Sequence, residues 1–166
     1  HKLIDNTVLD QIVELAQITK NHIVYEVGSG TGNLTYKLCG KAKKVISSEI
    51  DEKYYSICVD KFSKIDNLKL INGDGFTIDI HYDILMSNLP YSKSSRFIEW
   101  LINENFIRAV VLVQTEFADK LVAKPGNKNY RSITVIANAN FYVSKVGNIS
   151  NHSFSPIPKV LTSILL

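Results

Sequence analysis

The chain has 166 residues, 19 Lys+Arg against 16 Asp+Glu, a formal net charge of +3, and 45% hydrophobic residues. This length and apolar fraction allow one domain with a buried core, and they exclude intrinsic disorder and low-complexity classes. The longest apolar runs, such as Ala109–Val113, are far shorter than the roughly 20 residues of a membrane span. We therefore expect neither a membrane segment nor a signal peptide.

Cysteine and histidine are sparse and scattered. Cys39 and Cys58 form no Cys-x-x-Cys pair, and neither lies beside a histidine at ligand spacing, which argues against a disulfide framework and a zinc site. The histidines stand at positions 1, 22, 81 and 152. We expect no metal, and we interpret both cysteines as packing residues in a reducing cytoplasm.

Short apolar runs alternate with longer amphipathic stretches, which predicts parallel strands joined by right-handed helical crossovers. The first helix is expected over residues 5–18, with Asp5 as its N-cap. The later helices are expected at 34–39, 51–62, 92–102, 115–122 and 130–138. The strands are expected at 22–27, 44–50, 68–71, 83–86, 107–113, 141–146 and 160–166. The pattern predicts one α/β domain with a mostly parallel seven-stranded sheet and helices on both faces.

A glycine-rich turn follows the first predicted strand. Residues 26–32 read Glu-Val-Gly-Ser-Gly-Thr-Gly, so the backbone around Gly28 and Gly30 can approach a ligand closely. The spacing differs from the Gly-x-Gly-x-x-Gly of nicotinamide enzymes, and Glu26 suits a cationic ligand better than a pyrophosphate. Glu49 ends the next strand, where a carboxylate can accept both hydroxyls of a ribose. The alternative is a tight turn with a capping acid.

Asp74 follows the third predicted strand within Asn-Gly-Asp-Gly and could accept a hydrogen bond from an adenine amine. Taken alone, this tetrapeptide is more often a plain turn. Ligands of such sheets bind at the carboxyl ends of the strands, however, and three acidic or glycine-rich segments follow three successive strands. Together they indicate a nucleoside with a charged tail.

The tetrapeptide Asn88-Leu-Pro-Tyr91 follows the fourth predicted strand. Pro90 restricts Leu89 to extended conformations, so the Leu89 carbonyl has a fixed direction. This carbonyl and the Asn88 side-chain oxygen can accept from one exocyclic amine, and Tyr91 offers a ring for base stacking. Phe154, in Phe-Ser-Pro-Ile-Pro, could cover the other face of the base; the alternatives are a stiff turn and an edge-strand linker.

These motifs occur in the order seen in the KsgA-type ribosomal RNA adenine dimethyltransferases, which the chain resembles over essentially its whole length. The matching segments are Glu-x-Gly-x-Gly-x-Gly at 26–32, Glu49, Asp74, Asn88-Leu-Pro-Tyr91, Gln114-Thr-Glu-Phe-Ala118, Ala123-Lys-Pro-Gly126 and Phe154-x-Pro-x-Pro-x-Val160. Residues 117–130 look more like the archaeal members than the Erm-type methylases, which share the Asn-x-Pro-Tyr chemistry.

The resemblance implies a Rossmann-like class I methyltransferase fold with S-adenosylmethionine as the cofactor. It implies N6-dimethylation of two adjacent adenosines near the 3′ end of small-subunit (16S) rRNA during ribosome biogenesis. Residues 1–166 would form the catalytic domain, without the family's small C-terminal helical domain. The expected partner is the rRNA of the pre-30S particle, and the expected protein is a cytoplasmic monomer.

The resemblance also assigns roles to individual residues. It implies that Gly28 and the nearby backbone, with Glu26 and Gly30, contact the methionine part of the cofactor. Glu49 would contact the ribose, Asp74 the adenine amine and Ile50 the adenine ring. Asn88 would contact the cofactor beside the reacting groups. His1 and Leu3 fall where the family's N-terminal Gln-x-Phe-Leu segment lines the pocket, although Lys2 replaces the phenylalanine.

For catalysis, the resemblance implies that Asn88 and the Leu89 carbonyl hold the adenine amine for in-line attack, while Tyr91 and Phe154 sandwich the base. Six basic residues follow the substrate motif and could meet RNA phosphates or form a solvated face: Lys93, Arg96, Lys120, Lys124, Lys128 and Arg131. The alternatives are a catalytically silent RNA-binding paralogue and an Erm-like large-subunit rRNA methylase. Leu89 argues against the Asn-Pro-Pro-Tyr methylases of DNA and protein.

Overall fold

The computed structural model describes residues 2–166, except for the side chain of Tyr91, so the predicted contact of His1 lies outside the described residues. The strands are β1 (Lys2–Leu3), β2 (Ile23–Val27), β3 (Lys44–Glu49), β4 (Leu68–Asn72), β5 (Ile84–Asn88), β6 (Arg108–Gln114), β7 (Lys145–Ile149), β8 (Phe154–Ser155) and β9 (Thr162–Leu165). The helices are α1 (Asn6–Leu15), α2 (Asn33–Lys41), α3 (Glu52–Lys61), α4 (Ser94–Leu101), α5 (Thr115–Leu121) and α6 (Ser132–Asn140).

Seven strands form one sheet in the order β4-β3-β2-β5-β6-β9-β7. Strands β2 to β6 pair in parallel, whereas β9 runs antiparallel to both β6 and β7. The predicted α/β class and the mostly parallel seven-stranded sheet are confirmed. The strand order reverses beside β2, so the carboxyl ends of β2 and β5 border the crevice where ligands bind in such sheets.

The sheet separates two apolar cores, because successive side chains of a strand point to opposite faces. Val24 packs on one face with Leu9 and Leu38, from α1 and α2. Tyr25, the next residue, packs on the other face with Phe97 from α4, and α5 and α6 cover the same face. Strands β2 and β5, at the centre of the sheet, are therefore buried on both faces, which holds their carboxyl ends rigidly.

The first helix is capped as predicted. The Asp5 carboxylate accepts from the amides of Thr7 at 2.9 Å and Val8 at 3.3 Å. Its second oxygen accepts from the Ser153 hydroxyl at 2.9 Å, and this hydrogen bond is the main reason why the pKa of Asp5 lies below its usual range. The cap therefore joins the start of the chain to the segment that precedes β8.

The strands differ from the prediction in two places. Strand β7 begins at Lys145, four residues after the predicted start at Phe141, because Phe141 ends α6, where its backbone amide donates a hydrogen bond to the Ala137 carbonyl. The sequence also gave no sign of the antiparallel pair β1 and β8, in which Leu3 lies opposite Phe154. Strands of two residues are too short to show a period of two.

Candidate functional site

A cavity of about 300 Å³ lies at the carboxyl ends of β2, β3, β4 and β5. This volume is at the small end of the range for small-molecule sites, roughly 300–1,000 Å³. The cavity is lined by ten of the residues predicted to form the site: Leu3, Glu26, Gly28, Gly30, Glu49, Ile50, Asp74, Asn88, Leu89 and Pro90. Segments that are far apart in the sequence therefore meet around one space.

The glycine-rich loop between β2 and α2 forms one wall of this cavity. Gly28, Gly30 and Gly32 have φ values of +87°, +54° and +80°, in the left-handed region that favours glycine. A Cβ atom at Gly28 or Gly30 would meet no heavy atom within 4 Å, whereas one at Gly32 would overlap the Phe62 ring. The loop is fixed to β3 through the Gly28 amide, which donates to the Ser48 carbonyl at 2.9 Å.

Glu26 lies beneath the loop and is only 1% exposed. One of its carboxylate oxygens accepts from the hydroxyls of Thr35 and Ser47, both at 2.6 Å. Burial, together with the nearby Glu49 carboxylate, raises the pKa of Glu26 to about 7 in spite of these hydrogen bonds. The side chain is therefore partly ionised at neutral pH, and a cation beside it would favour the charged form.

Glu49 is oriented by backbone amides at the end of β3. One carboxylate oxygen accepts from the Gly30 amide at 2.8 Å and the other from the Asp51 amide at 3.0 Å. Each carboxylate oxygen has a second lone pair, so the group can still accept two hydroxyls from the cavity. The next side chain, Ile50, is 65% exposed and offers an apolar surface within the same cavity.

Asp74 lines the cavity just after the end of β4. One oxygen accepts from the Phe76 amide at 3.1 Å, and the other forms an ion pair with Arg96 at 2.8 Å. Partial burial raises the pKa of Asp74, but the Phe76 amide and the Arg96 guanidinium outweigh burial and hold the pKa below its usual range. The carboxylate is therefore an acceptor at neutral pH.

The end of β5 presents the predicted substrate motif. The Leu89 amide donates to the Leu112 carbonyl at 3.0 Å, which continues the sheet, and the Leu89 side chain is buried. Pro90 has φ −59° and ψ 130°, and the 3₁₀ turn Tyr91–Lys93 follows it. Asn88 is therefore held at the cavity by the sheet on one side and by a stiff turn on the other.

The structure does not bring Phe154 to this cavity. Its side chain is 2% exposed and packs in the core with Ile12 and Leu3. Its contact with a base stays a prediction, and Phe154 does not line the cavity in this structure. The physical reason is the pairing of β8 with β1, which holds the ring over an apolar core.

Sequence reasoning missed several lining residues, among them Asn33, Tyr54 and Phe76. The Asn33 side-chain amide donates to the Leu3 carbonyl at 3.0 Å and so attaches β1 to the cavity wall. The Lys2 ammonium lies 4.4 Å from the centre of the Tyr54 ring. Tyr54 comes five residues after Glu49, and Phe76 comes two residues after Asp74. This closeness in the sequence to predicted carboxylates was the available signal.

Neither a metal centre nor a membrane helix is found in the described part of the chain. No three His, Cys, Asp or Glu side chains among residues 2–166 could together hold a metal ion. The helices of the same residues are all too short or too polar to cross a bilayer.

The cavity offers carboxylates, an amide side chain, backbone amides and apolar surface. These groups suit a nucleoside with a cationic tail.

Residues 1–165 match the family described as ribosomal RNA adenine dimethylase. The chain is 39% identical over 168 aligned residues to ribosomal RNA small subunit methyltransferase A of Borrelia garinii, covering 98% of this chain and 60% of that protein. Archaeal relatives from Methanosarcina acetivorans and Pyrococcus abyssi match at 36% and 37% identity. The chain spans about 60% of the length of the curated relatives that it matches.

Two solved structures have the same fold and substantial sequence identity. A dimethyladenosine transferase from Plasmodium falciparum is 37% identical, with a TM-score of 0.93 over 99% of this chain and 62% of that one. The 23S rRNA methyltransferase ErmE is 27% identical, with a TM-score of 0.88 over 99% of this chain and 68% of that one. The Rossmann-like methyltransferase fold is thereby confirmed.

Proposed function

This chain belongs to the ribosomal RNA adenine dimethylase family, and on that premise we propose that it transfers methyl groups from S-adenosylmethionine to the N6 amine of two adjacent adenosines in small-subunit (16S) rRNA. The observation that carries the proposal is the meeting of Glu49, Asp74 and Asn88 around one cavity. The first two are carboxylates suited to an adenosine, and the third is an amide suited to a second adenine.

The cofactor would lie across the carboxyl ends of β2, β3 and β4. Glu49 would accept the ribose hydroxyls, Asp74 the adenine amine, and Ile50 would pack on the adenine ring. The glycine-rich loop would hold the methionine part, with Glu26 beneath it as the matching negative charge. When bound, the cofactor supplies a methyl group on a sulfonium, which needs no metal and no redox partner.

The substrate adenine would enter beside Asn88. The Asn88 side-chain oxygen and the Leu89 carbonyl would accept from its amine and turn the nitrogen lone pair toward the methyl group. This is catalysis by positioning, which can supply roughly 7–11 kcal/mol of a barrier. Tyr91 would stack on the base, and the amine proton would leave after transfer, when the nitrogen carries a positive charge.

The RNA would also meet the loop after α5. Lys124 and Lys128 are exposed in this loop, and Arg131 is exposed just before α6. These cations could contact phosphates, whose neutralisation dominates the affinity for nucleic acid. A cytoplasmic monomer acting on the pre-30S particle is part of the same proposal.

The test is methyl transfer from labelled S-adenosylmethionine to unmethylated small ribosomal subunits, followed by nucleoside mass spectrometry. The chain and the Asn105→Ala variant, altered at an exposed asparagine, are expected to give dimethyladenosine. Asn88→Ala is expected to lower kcat by roughly 10²–10³, as for other preorganised polar groups. Its affinity for S-adenosylhomocysteine should stay within about threefold of the wild type, because Glu49 and Asp74 supply the acceptors for the nucleoside.

Three other outcomes would contradict the proposal, and each points to a different function. Product on large-subunit RNA alone would indicate the Erm-like reaction. Cofactor binding without product on either subunit would indicate another methyl acceptor. A folded chain that binds no cofactor would indicate the silent RNA-binding paralogue.

A further inference from the structure

Arg96 connects the two halves of the proposed site. It lies in α4, which follows the substrate motif, and its guanidinium donates to the Asp74 carboxylate after β4 at 2.8 Å. From the sequence alone, Arg96 could contact an RNA phosphate or lie on a solvated face. The structure instead places this cation on the carboxylate proposed to recognise the cofactor's adenine.

The Arg96 side chain is held in place although it is 45% exposed. Its guanidinium carbon lies 5.2 Å from the centre of the Phe76 ring, within the range of a cation–π contact. The Phe76 ring in turn stacks on Trp100, one helical turn further along α4, with the centres 5.1 Å apart. An ion pair supported by an aromatic stack has less freedom than an ordinary surface pair.

Asp74 has two acceptor positions left after its side-chain contacts with the described residues. A carboxylate offers about four lone-pair sites, of which the Phe76 amide and Arg96 occupy one each. The backbone amide fixes one oxygen, and the guanidinium fixes the rotation of the carboxyl group about its last bond. The remaining lone pairs therefore have a defined direction at the cavity.

We propose that Arg96 is a positioning residue that holds the Asp74 carboxylate in the orientation that accepts the 6-amine of the cofactor's adenine. The inference rests on the proposed function, and it goes beyond the assignment of Asp74 itself. It predicts that removing the guanidinium weakens one specific contact, between Asp74 and the amine, while the ribose and methionine contacts remain.

The experiment compares the binding of two ligands by calorimetry. The first is S-adenosylhomocysteine, and the second is its 6-deamino analogue, in which hydrogen replaces the amine. The variants are Arg96→Gln, Arg96→Lys, Asp74→Asn and the double variant Asp74→Asn with Arg96→Gln. Arg108→Gln is the matched control, because Arg108, at the amino end of β6, donates to the Ala16 carbonyl and the Gln17 side chain.

Arg96→Gln is expected to weaken S-adenosylhomocysteine binding by roughly 5–10-fold and to change binding of the 6-deamino analogue by less than about twofold. Arg96→Lys should lose less than Arg96→Gln, because it keeps a cation near the carboxylate. The double variant should bind like Asp74→Asn alone, because residues that act through one contact are not additive. Arg108→Gln should bind both ligands like the wild type.

Several results would overturn the inference. Equal losses for the two ligands, or additive losses in the double variant, would mean that Arg96 only supports the fold. Unchanged binding by a folded Arg96→Gln would refute the positioning role while leaving the proposed function intact. A folded wild type that binds neither ligand would refute the proposed function itself, and the inference with it.

Discussion

The carboxylate of Glu49 accepts a hydrogen bond from the backbone amide of Gly30 at 2.8 Å. The two residues belong to consecutive strand ends, since Gly30 lies in the loop after β2 and Glu49 is the last residue of β3. One side chain therefore serves two purposes in the proposed site. It fixes the glycine-rich loop, and it presents the lone pairs that a ribose needs.

Glu49→Ala should weaken S-adenosylhomocysteine binding by at least about 30-fold, because it removes the ribose acceptor and loosens the loop. The Gly30 and Asp51 amides would lose their partner, which should lower the free energy of unfolding by roughly 1–3 kcal/mol. Calorimetry and urea unfolding measure the two effects. Glu52→Ala, at an exposed glutamate of α3, should change neither by a comparable amount, and equal losses in both variants would refute the role of Glu49.

Glu26 should make stability depend on pH. Burial raises its folded-state pKa from an ordinary value of 4.5 to about 7, so between these values the folded chain binds more protons than the unfolded chain. This contribution to stability is fully present below about pH 4.5 and is lost as the pH rises through about 7. Between pH 5 and pH 8 the loss should be about 2–3 kcal/mol.

Urea unfolding of the wild type and of Glu26→Gln at pH 5 and pH 8 measures the contribution of Glu26 to stability, because the contributions of the other titrating groups cancel in the difference. From pH 5 to pH 8, the wild type should lose more free energy of unfolding than Glu26→Gln does. The same comparison with Glu14→Gln, at an exposed glutamate of α1, should show no shift. A difference for Glu26 that is independent of pH would contradict the raised pKa.

Gly32→Ala should destabilise the fold by roughly 2–4 kcal/mol, because the new methyl group would overlap the Phe62 ring and the residue has a φ of +80°. Gly40→Ala is the matched control. Gly40 lies in α2 with open space around it, and alanine there should raise stability by up to about 1 kcal/mol. Thermal unfolding of the two variants should shift in opposite directions, and a shift in the same direction would refute this account of Gly32.

Phe154→Leu tests whether the buried ring takes part in the reaction. If Phe154 only packs in the core, the variant should lose about 1–2 kcal/mol of unfolding free energy and keep its kcat and KM for methyl transfer within twofold. Phe106→Leu, at a partly buried ring that does not line the cavity, supplies a control for the loss of an aromatic ring. A tenfold fall in kcat for Phe154→Leu alone would show that the ring leaves the core and contacts the substrate.

The sequence by itself determined most of the strands and most of the predicted residues that line the cavity. Buried strands read as apolar runs, so β2, β3 and β6 could be predicted within one or two residues of their observed bounds. Parallel strands bring their carboxyl ends to one edge, so Glu49, Asp74 and Asn88 could be expected to meet although nothing local connects them. Asp5 could be predicted as a cap because the backbone amides that a cap accepts from, here those of Thr7 and Val8, are its near neighbours in the sequence.

Only the tertiary structure decided the partners of Arg96 and Phe154. A guanidinium can pair with a phosphate or a carboxylate, and its choice depends on how α4 lies against the end of β4. The Phe154 side chain could face a ligand or the core, and the two-residue pairing with Leu3 turned it inward. Such contacts join residues far apart in the chain and leave no periodic trace, because packing and not local conformation selects them.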